Sequence, residues 1–549
     1  MSAAYFPELF ELLLKERGIK DAERELFLNP DYALLHPPLS LPDMGRARDR
    51  VIDAVKNLEH IVVFSDYDAD GIPGAVVLSD FFKRIKYENV SFYIPHRHDE
   101  GFGLNLGAIE KIAGDLPAGR QGGAKLIITV DCGTADVEEV RLAKEKGIDV
   151  IITDHHESVR LPEAFAIVNP KRADSKYPFP DLCGSGVAFK LVQAIYAQDS
   201  FGVKNGMEKW SLDMVGIATL SDMVPLVDEN RILARFGLEV LRKSPRPGLQ
   251  TLFDNLNLDQ KNLTEDDVTF MITPRINAAS RMGQPEDAFK LLSTSDHVEA
   301  ELLANHLEKI NNERKGVVAS IVKAAKHELA KRENLKEVIV IGNPEWKPSL
   351  LGLVCNSLVE EYERPVFAWG RDGDGALKGS CRSYNDYDLF KLMESAKDSF
   401  IEFGGHKGAG GFSVEFEKLI NLEEKLSKAL ENLEPSDEED TKKLPIMLSD
   451  INENLWQTVS LFAPFGIGNE KPVFKIPNAL IKSVRQFGKE NNHLELSLAN
   501  GIKAISFFSS PSTYNLVPSP CSVTLHAHLE KSYFRNRPEL RLRIVNIEP

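Results

Sequence analysis

Residues 61–71 read IVVFSDYDADG, residues 126–134 LIITVDCGT and residues 150–157 VIITDHHE. Each is a short apolar, β-branched run that stops at an acidic or histidine cluster. Runs without polar alternation suit strands buried on both faces, as in a parallel sheet covered by helices. The segments that follow the first two, GAVVLSDFFKRI and VEEVRLAKEKG, carry helical spacing, so the rhythm is βαβ and an α/β fold with a mostly parallel sheet is predicted. Strand C-termini in such a sheet share one edge. Asp66, Asp68, Asp70, Asp131, Asp154, His155 and His156 are therefore expected around one crevice.

So many ionisable groups repel one another unless cations neutralise them. Carboxylates with imidazoles and no thiolate favour Mn²⁺ or Mg²⁺ over structural zinc. Two such ions about 3.5 to 4 Å apart clamp a phosphodiester and activate a water for in-line attack, with no side-chain nucleophile. Asp222 of TLSDMVPL, another acid after a short apolar segment, is a further candidate. Taken singly, each motif has a plainer reading. DxDxDG fits a calcium loop or a polar turn, paired histidines fit a surface loop, and Asp131 or Asp222 fits a helix cap. Three strand ends bearing such clusters together favour the metal reading.

Outward from this core, residues 114–123, GDLPAGRQGG, read as a surface loop. A charged stretch, HVEAELLANHLEKINNERKGVVASIVKAAKHELAKRE, is predicted as one long helix bridging two domains. Strand patterns resume with EVIVIGN and RPVFAWG and finish at GGHKGAGGFSVEF, a second α/β unit. After the acidic run ENLEPSDEEDTKK, short alternating segments such as HLELSLA and SVTLHAHLE suggest a small antiparallel barrel. Residues 471–549 hold 11 Lys and Arg against 5 Asp and Glu, on a chain whose net charge is −16. The overall acidity argues against a protein that coats nucleic acid nonspecifically, while the basic C-terminal stretch hints at an anionic partner.

At 549 residues, with 43% hydrophobic and 27% charged, the chain is expected to fold as several globular domains. Five cysteines without a CxxC pair argue against a disulfide framework or a structural zinc site. The start, MSAAYFPELFELLLKERG, lacks a signal-peptide pattern and no run of about 18 uncharged apolar residues occurs, so no membrane association and a cytoplasmic location are expected.

The ordered set DYDADG, TVDCGT, ITDHHE and SDMVPL resembles the successive motifs of the DHH phosphoesterases, named for the Asp154-His155-His156 triplet. GSGVAFKL (184–191), ITPRINAASRMG (272–283), GSCRS (379–383) and FGGHKGAGGFS (403–413) resemble, within that family, the bacterial single-strand-specific 5′ to 3′ DNA exonucleases. The resemblance runs from about residue 40 to the C-terminus. It implies that Asp66, Asp68, Asp131, His155 and Asp222 bind two cations, Mn²⁺ or Mg²⁺, with Asp131 bridging. His156 is then a catalytic contact to the scissile phosphate, and Asp70 and Asp154 orient ligands through hydrogen bonds. Arg97 of IPHRHDEGFGLN, Ser380 and Arg382 of GSCRS, and Gly404, Gly405 and His406 match positions that hold the substrate phosphate. Arg275 and Arg281 are expected to face the strand as well.

The implied domains are an N-terminal helical segment (1–50), a DHH catalytic domain (51–235), a helical region with a connecting helix (236–334), a DHHA1 substrate-binding domain (335–430), an acidic linker (431–446) and an OB-fold DNA-binding barrel (447–549). Phe487, Phe507, Phe508, Tyr533 and Phe534 are candidates to stack on bases. Core packing is the plainer fate of strand aromatics, so Tyr533 and Phe534, beside Arg535 and Arg537, are preferred. The resemblance further implies a single-stranded DNA substrate cut to mononucleotides in repair and recombination, a monomer, and a single-stranded DNA-binding protein and a helicase as partners. A DHH phosphodiesterase acting on short RNA or cyclic dinucleotides is the alternative, which the basic barrel disfavours; a non-catalytic relative is disfavoured because every ligand position is filled. The chain departs from the family at Ser280, where Gly is usual, at Cys381, where Ala is more common, near Ser349 and Leu350, and in the 114–123 insertion.

Overall fold

The structure is a computed structural model that describes residues 6–114, 123–373, 375–385, 387–434, 443–488, 493–507, 520–533 and 538–548. Two compact units emerge: residues 1–308 with 443–549, and residues 309–442.

In the first unit, β1 (Ile61–Ser65), β2 (Val90–Tyr93), β3 (Leu126–Val130), β4 (Asp149–Thr153) and β5 (Ala166–Val168) form a sheet in the order β2-β1-β3-β4-β5, every pairing parallel. All residues of β1 and β3 are buried, as their unbroken apolar sequences require of strands covered on both sides. One face holds Val62, Phe64, Ile127, Val150 and Ile152 against Ile109, Ile112, Val140 and Ala143 of the covering helices. The chain leaves β1 for β2 on one side and returns to β3 on the other, so strand order reverses between β1 and β3. That is where doubly wound sheets open a crevice beyond their strand ends.

The second unit contains β6 (Ile339–Gly342), β7 (Val366–Arg371), β8 (Leu377–Arg382), β9 (Glu402–His406) and β10 (Ala409–Ser413) in the order β6-β7-β8-β10-β9. Only β6 and β7 pair in parallel.

The chain then returns to the first unit with β11 (Leu444–Pro445), β12 (Phe474–Phe487), β13 (His493–Leu498), β14 (Lys503–Ser506), β15 (Cys521–Ser532) and β16 (Glu539–Glu548). Their order β11-β12-β13-β14-β16-β15 closes through a β12–β15 pairing. Irregularities at Ile476/Ala479 and Ile481/Ser483 bend β12 so that its first half pairs with β15 and its second with β13, closing the barrel. Leu13 and Leu14 of the helix Pro7–Glu16 are buried in the barrel core with Phe462, Phe474, Ile476 and Leu525.

Several expected boundaries shift. The helices Met44–Lys56 and Asp228–Leu241 run through residues 50 and 235, because each buries one apolar face that cannot be divided. Residues 444–445, placed in the linker by their neighbouring acids, pair with β12 and belong to the barrel. The bridging helix spans His297–Leu329. Of the 114–123 loop, residues 115–122 lie outside the described residues. Among the described residues no helix is long and apolar enough to cross a membrane.

Candidate active site

Four strands end at one rank: Ser65 pairs with Val130, Val130 with Thr153 and Thr153 with Val168. Beyond this rank the next residue of three of them still donates its backbone N–H across the sheet, Asp66 to Val130 O (3.1 Å), Asp131 to Thr153 O (2.9 Å) and Asp154 to Val168 O (3.2 Å). Three acids are thereby pinned in a row. Asp131 has φ 61°, a left-handed conformation uncommon for Asp, which turns its side chain into the crevice. The strain persists because Gly184 packs on it: a Cβ there would lie 2.5 Å from Asp131 Cβ.

The DYDADG turn adds Asp68 and Asp70. Asp68 Oδ1 accepts from the Asp70 and Gly71 amides (2.8 and 3.2 Å) at the start of helix Gly71–Arg84. Both Asp70 oxygens accept from the first amides of helix Gly184–Gln198, Gly184 N (2.6 Å) and Ser185 N (2.7 Å). Donors at a helix N-terminus stabilise a carboxylate, so Asp70 ties two motifs together. Asp222 ends helix Leu212–Ser221 and reaches to 3.6 Å from His155 Nε2; Asp131 Oδ1 lies 3.2 Å from the same atom.

Three groups of ligand atoms each lie within 4.8 Å: Asp66, Asp68 and Asp131; Asp131, His155 and His156; Asp70, His155 and Asp222. All five expected ligands are brought together, Asp131 and His155 each belonging to two groups. Burial, and then the neighbouring carboxylates, push Asp66 and Asp131 well above the usual carboxylate range. The same causes push Asp222 up to about 9 and Asp70 up to about 6. Burial, then the adjacent His156, lowers His155 to about 3, which keeps its ring neutral and able to ligate. Oδ1 of Asp66 and Oδ1 of Asp131 are buried without a hydrogen bond among the described residues. Unpaired buried carboxylate oxygens beside a neutral imidazole, with no thiolate in the cluster, fit hard divalent cations.

Asp154 is buried but fully engaged. Its Oδ1 accepts from His155 N (2.7 Å), His156 N (3.2 Å) and His156 Nδ1 (2.8 Å), and its Oδ2 from Thr134 N (3.0 Å). Burial favours its neutral form, yet these donors outweigh it and hold the carboxyl below the usual range. His156 is likewise opposed by burial, but Asp154 carries it up to about 9. Nearly half of its side chain is exposed, so a cationic imidazole faces the crevice.

Arg97 lies over the Tyr67 ring, 4.9 Å from its centroid, and Arg281 adds its charge beside the same phenol. Arg275 behaves otherwise. Its side chain is only 6% exposed and its Nε is 2.9 Å from Glu308 Oε2, so the expectation that it faces a strand gives way to an internal ion pair. In the second unit, register aligns Arg382, Ala409 and His406 across three strands, and Ser380, Gly411 and Gly404 in another row. Directly opposed residues share a sheet face, so Ser380, Arg382, Gly404 and His406 lie on one side with only small residues between them. Gly405 faces the other way, where a Cβ would meet Ala409 O at 2.4 Å. Cys381 also faces away, into the unit's core.

In the barrel, Phe508, Phe534, Arg535 and Arg537 lie outside the described residues. Tyr533 is half-buried, with Lys531 Nζ 5.9 Å from its ring. The core assignment of Phe487 and Phe507 gives way to a surface cluster with His493: ring centroids are 5.1 to 6.4 Å apart and Phe507 is 43% exposed. A strand's end leaves its last aromatic without a covering layer.

Two neighbours of His156 escaped the motif reading. Phe102, 53% exposed, sets its ring edge-on to His156, at 5.5 Å, between Gly101 and Gly103. An aromatic between two glycines was its signal. Asn169 follows β5 as the acids follow the other strands, and its Nδ2 donates to His156 O (2.8 Å) and Thr134 Oγ1 (3.1 Å). Its position just past a strand end, like that of the acids, was the signal there.

Residues 60–219 match the DHH family N-terminal domain, 335–434 the DHHA1 domain and 443–546 the RecJ OB domain. The chain is 34% identical over 542 residues to the single-stranded-DNA-specific exonuclease RecJ of Bacillus subtilis, covering 97% of this chain and 67% of that one. With RecJ of Haemophilus influenzae it shares 29% over 566 residues, covering 98% and 96%. The crystal structure of RecJ in complex with Mn²⁺ from Thermus thermophilus superposes with a TM-score of 0.77 at 27% identity, covering 98% of this chain and 76% of that one. With all three domains in the same order and identity sustained over nearly its whole length, the chain belongs to the RecJ family of DHH exonucleases.

Proposed function

We propose that the protein degrades single-stranded DNA from its 5′ end to mononucleotides by hydrolysis of phosphodiester bonds. The observation that carries this reading is the pair of strand-end carboxylates Asp66 and Asp131, whose buried Oδ1 atoms have no hydrogen bond among the described residues and fit divalent cations. Two divalent cations, Mn²⁺ or Mg²⁺, held by Asp66, Asp68, Asp131, His155 and Asp222, supply charge for the scissile phosphate and an activated water. Around them the chain's own residues divide the work. Asp154 fixes the His156 ring and keeps it protonated, so that it donates to a phosphate oxygen. Asp70, braced on the amides of Gly184 and Ser185, holds the DYDADG turn in place.

Arg97, over the Tyr67 ring, offers its fork to the DNA backbone, with Arg281 close by. Phe102 offers a ring for a base. In the second unit the shared face of Ser380, Arg382 and His406, with Gly404 leaving room, takes a terminal 5′ phosphate. Phe507, Phe487, His493 and Tyr533 give the barrel aromatic surface for a single strand. A monomer in the cytoplasm, working in repair and recombination beside a single-stranded DNA-binding protein and a helicase, completes the proposal. Five free cysteines, four of them buried, accord with a reducing compartment.

Digestion of end-labelled single strands, with and without a 5′ phosphate and in Mn²⁺ or Mg²⁺, tests polarity and cofactor together. The 5′ label is expected first in mononucleotides, with Asp131→Ala inactive yet folded. Release of a 3′ label first, or cleavage by Asp131→Ala, contradicts the reading.

A further inference from the structure

Asp222 sits at a chain reversal that its own segment does not secure. Helix Leu212–Ser221 ends there, and the next residue, Met223, has φ 58° and is 62% exposed. A left-handed non-glycine persists only where its surroundings impose it, and an exposed side chain imposes nothing. What holds the reversal lies further on. Leu226 N donates to Ile467 O at 2.7 Å, in the approach to the barrel.

Residues 466–469 form a tight hairpin in which Gly466 and Asn469 exchange both backbone hydrogen bonds at 3.0 Å. Gly466 packs so closely on Leu226 that a Cβ would fall 2.7 Å from Leu226 Cδ1, and Gly468, at φ +74°, lies against Val227 and Pro225. The hairpin is tied to residues 462–464, which Arg231 of the catalytic side holds in turn. The Arg231 guanidinium donates to Phe462 O (3.1 Å) and Ala463 O (3.4 Å), and the buried Asn469 donates to Phe462 O (2.9 Å) and Pro464 O (2.7 Å). Asn230, fully buried, closes the opposite side by donating to Pro225 O (3.1 Å) and Asp181 O (2.6 Å).

We infer that the hairpin 466–469 is a positioning element for the metal centre: by pinning Leu226 it sets the turn that presents Asp222, so the barrel contributes to cation binding and turnover as well as to DNA capture. The inference rests on Asp222 being a ligand. Residues that orient ligands change metal affinity by about 10- to 100-fold when altered.

The test uses the full chain. Mn²⁺ binding is measured by calorimetry without DNA, and DNA binding by fluorescence anisotropy of a labelled oligonucleotide in EDTA. Gly468→Val, which cannot hold the positive φ without strain, is expected to weaken Mn²⁺ binding by about tenfold and lower kcat, with DNA affinity in EDTA unchanged. Adding Met223→Gly, which adopts the left-handed turn unaided, is expected to recover part of the Mn²⁺ affinity. Should Gly468→Val fail to fold, Gly466→Ala reads the same contact through Leu226. Unchanged Mn²⁺ affinity in the hairpin variant, or a loss confined to DNA affinity, overturns the inference. Asp222→Asn separates the two levels: if it too leaves Mn²⁺ affinity unchanged, the ligand assignment fails, and if it alone weakens binding, the hairpin's role fails.

Discussion

Asp154 Oδ1 accepts a hydrogen bond from His156 Nδ1 at 2.8 Å, while Thr134 N holds the other oxygen of the same carboxylate at 3.0 Å. A buried acid fastened on both sides thus fixes both the ring orientation and the charge of a half-exposed histidine. Asp154→Asn keeps the shape and removes the charge. We expect kcat to fall about 10- to 100-fold with little change in KM. Asp154 pushes His156 up to about 9 in the cation-free chain, and neighbouring cations favour the neutral ring, so activity should decline at or below that pH, and the decline should move to lower pH in the variant. A kcat–pH profile checks both.

The metal-free protein should lose stability as pH rises. Burial and neighbouring carboxylates lift Asp222 to about 9, and Asp66 and Asp131 well above their ordinary values. A folded-state pKa above the unfolded one, about 4 for Asp, means that the folded chain binds more protons. The penalty is absent below that unfolded value and grows as pH rises toward the folded pKa. His155, lowered to about 3, has the opposite sign and removes stability as pH falls below about 6.5. Melting curves should therefore show Mn²⁺ raising Tm more at pH 8 than at pH 6. An equal shift at both pH values would contradict the assignment.

Phe102→Ala removes the aromatic edge beside His156 without touching a carboxylate. Stacking a base on an aromatic ring contributes about 1 to 3 kcal/mol. KM for single-stranded oligonucleotides is expected to rise about 5- to 150-fold on that basis, with Mn²⁺ affinity unchanged. Phe102→Tyr, which keeps the ring, should restore KM.

Further along helix Gly71–Arg84, at Asp80, Arg246 is buried against Asp80 and Asp213, at 2.5 and 2.8 Å. Burial alone would raise Asp80, but Arg246 outweighs it and holds the carboxyl below its ordinary value. Removing one partner of such a group leaves uncompensated charge, so Arg246→Met should cost about 3 to 5 kcal/mol in urea denaturation. Because the folded pKa of Asp80 is depressed, its contribution is present above the unfolded value near 4 and is lost as pH falls below it.

Much of this protein was legible in its sequence because the signals were local. An unbroken apolar run states that a strand is covered on both faces, and an acid at its end states where that acid will lie in a parallel sheet. IVVFSD, LIITVD and VIITDHH were therefore enough to place Asp66, Asp131, His155 and His156 at one edge. The motif order then pointed to Asp222 and to the GSCRS and GGHKGAGG segments. Tertiary packing alone decided what those side chains do with their neighbours. Arg275 was expected to face the DNA strand and instead forms an ion pair with Glu308, because separate helices meet there. Phe102 meets His156 only through the fold. Leu226 and Ile467, far apart in the chain, share a hydrogen bond that no periodicity encodes. Sequence pattern records how a residue sits on its own element, whereas hydrogen bonds, burial and charge between elements depend on distances that only the folded chain sets.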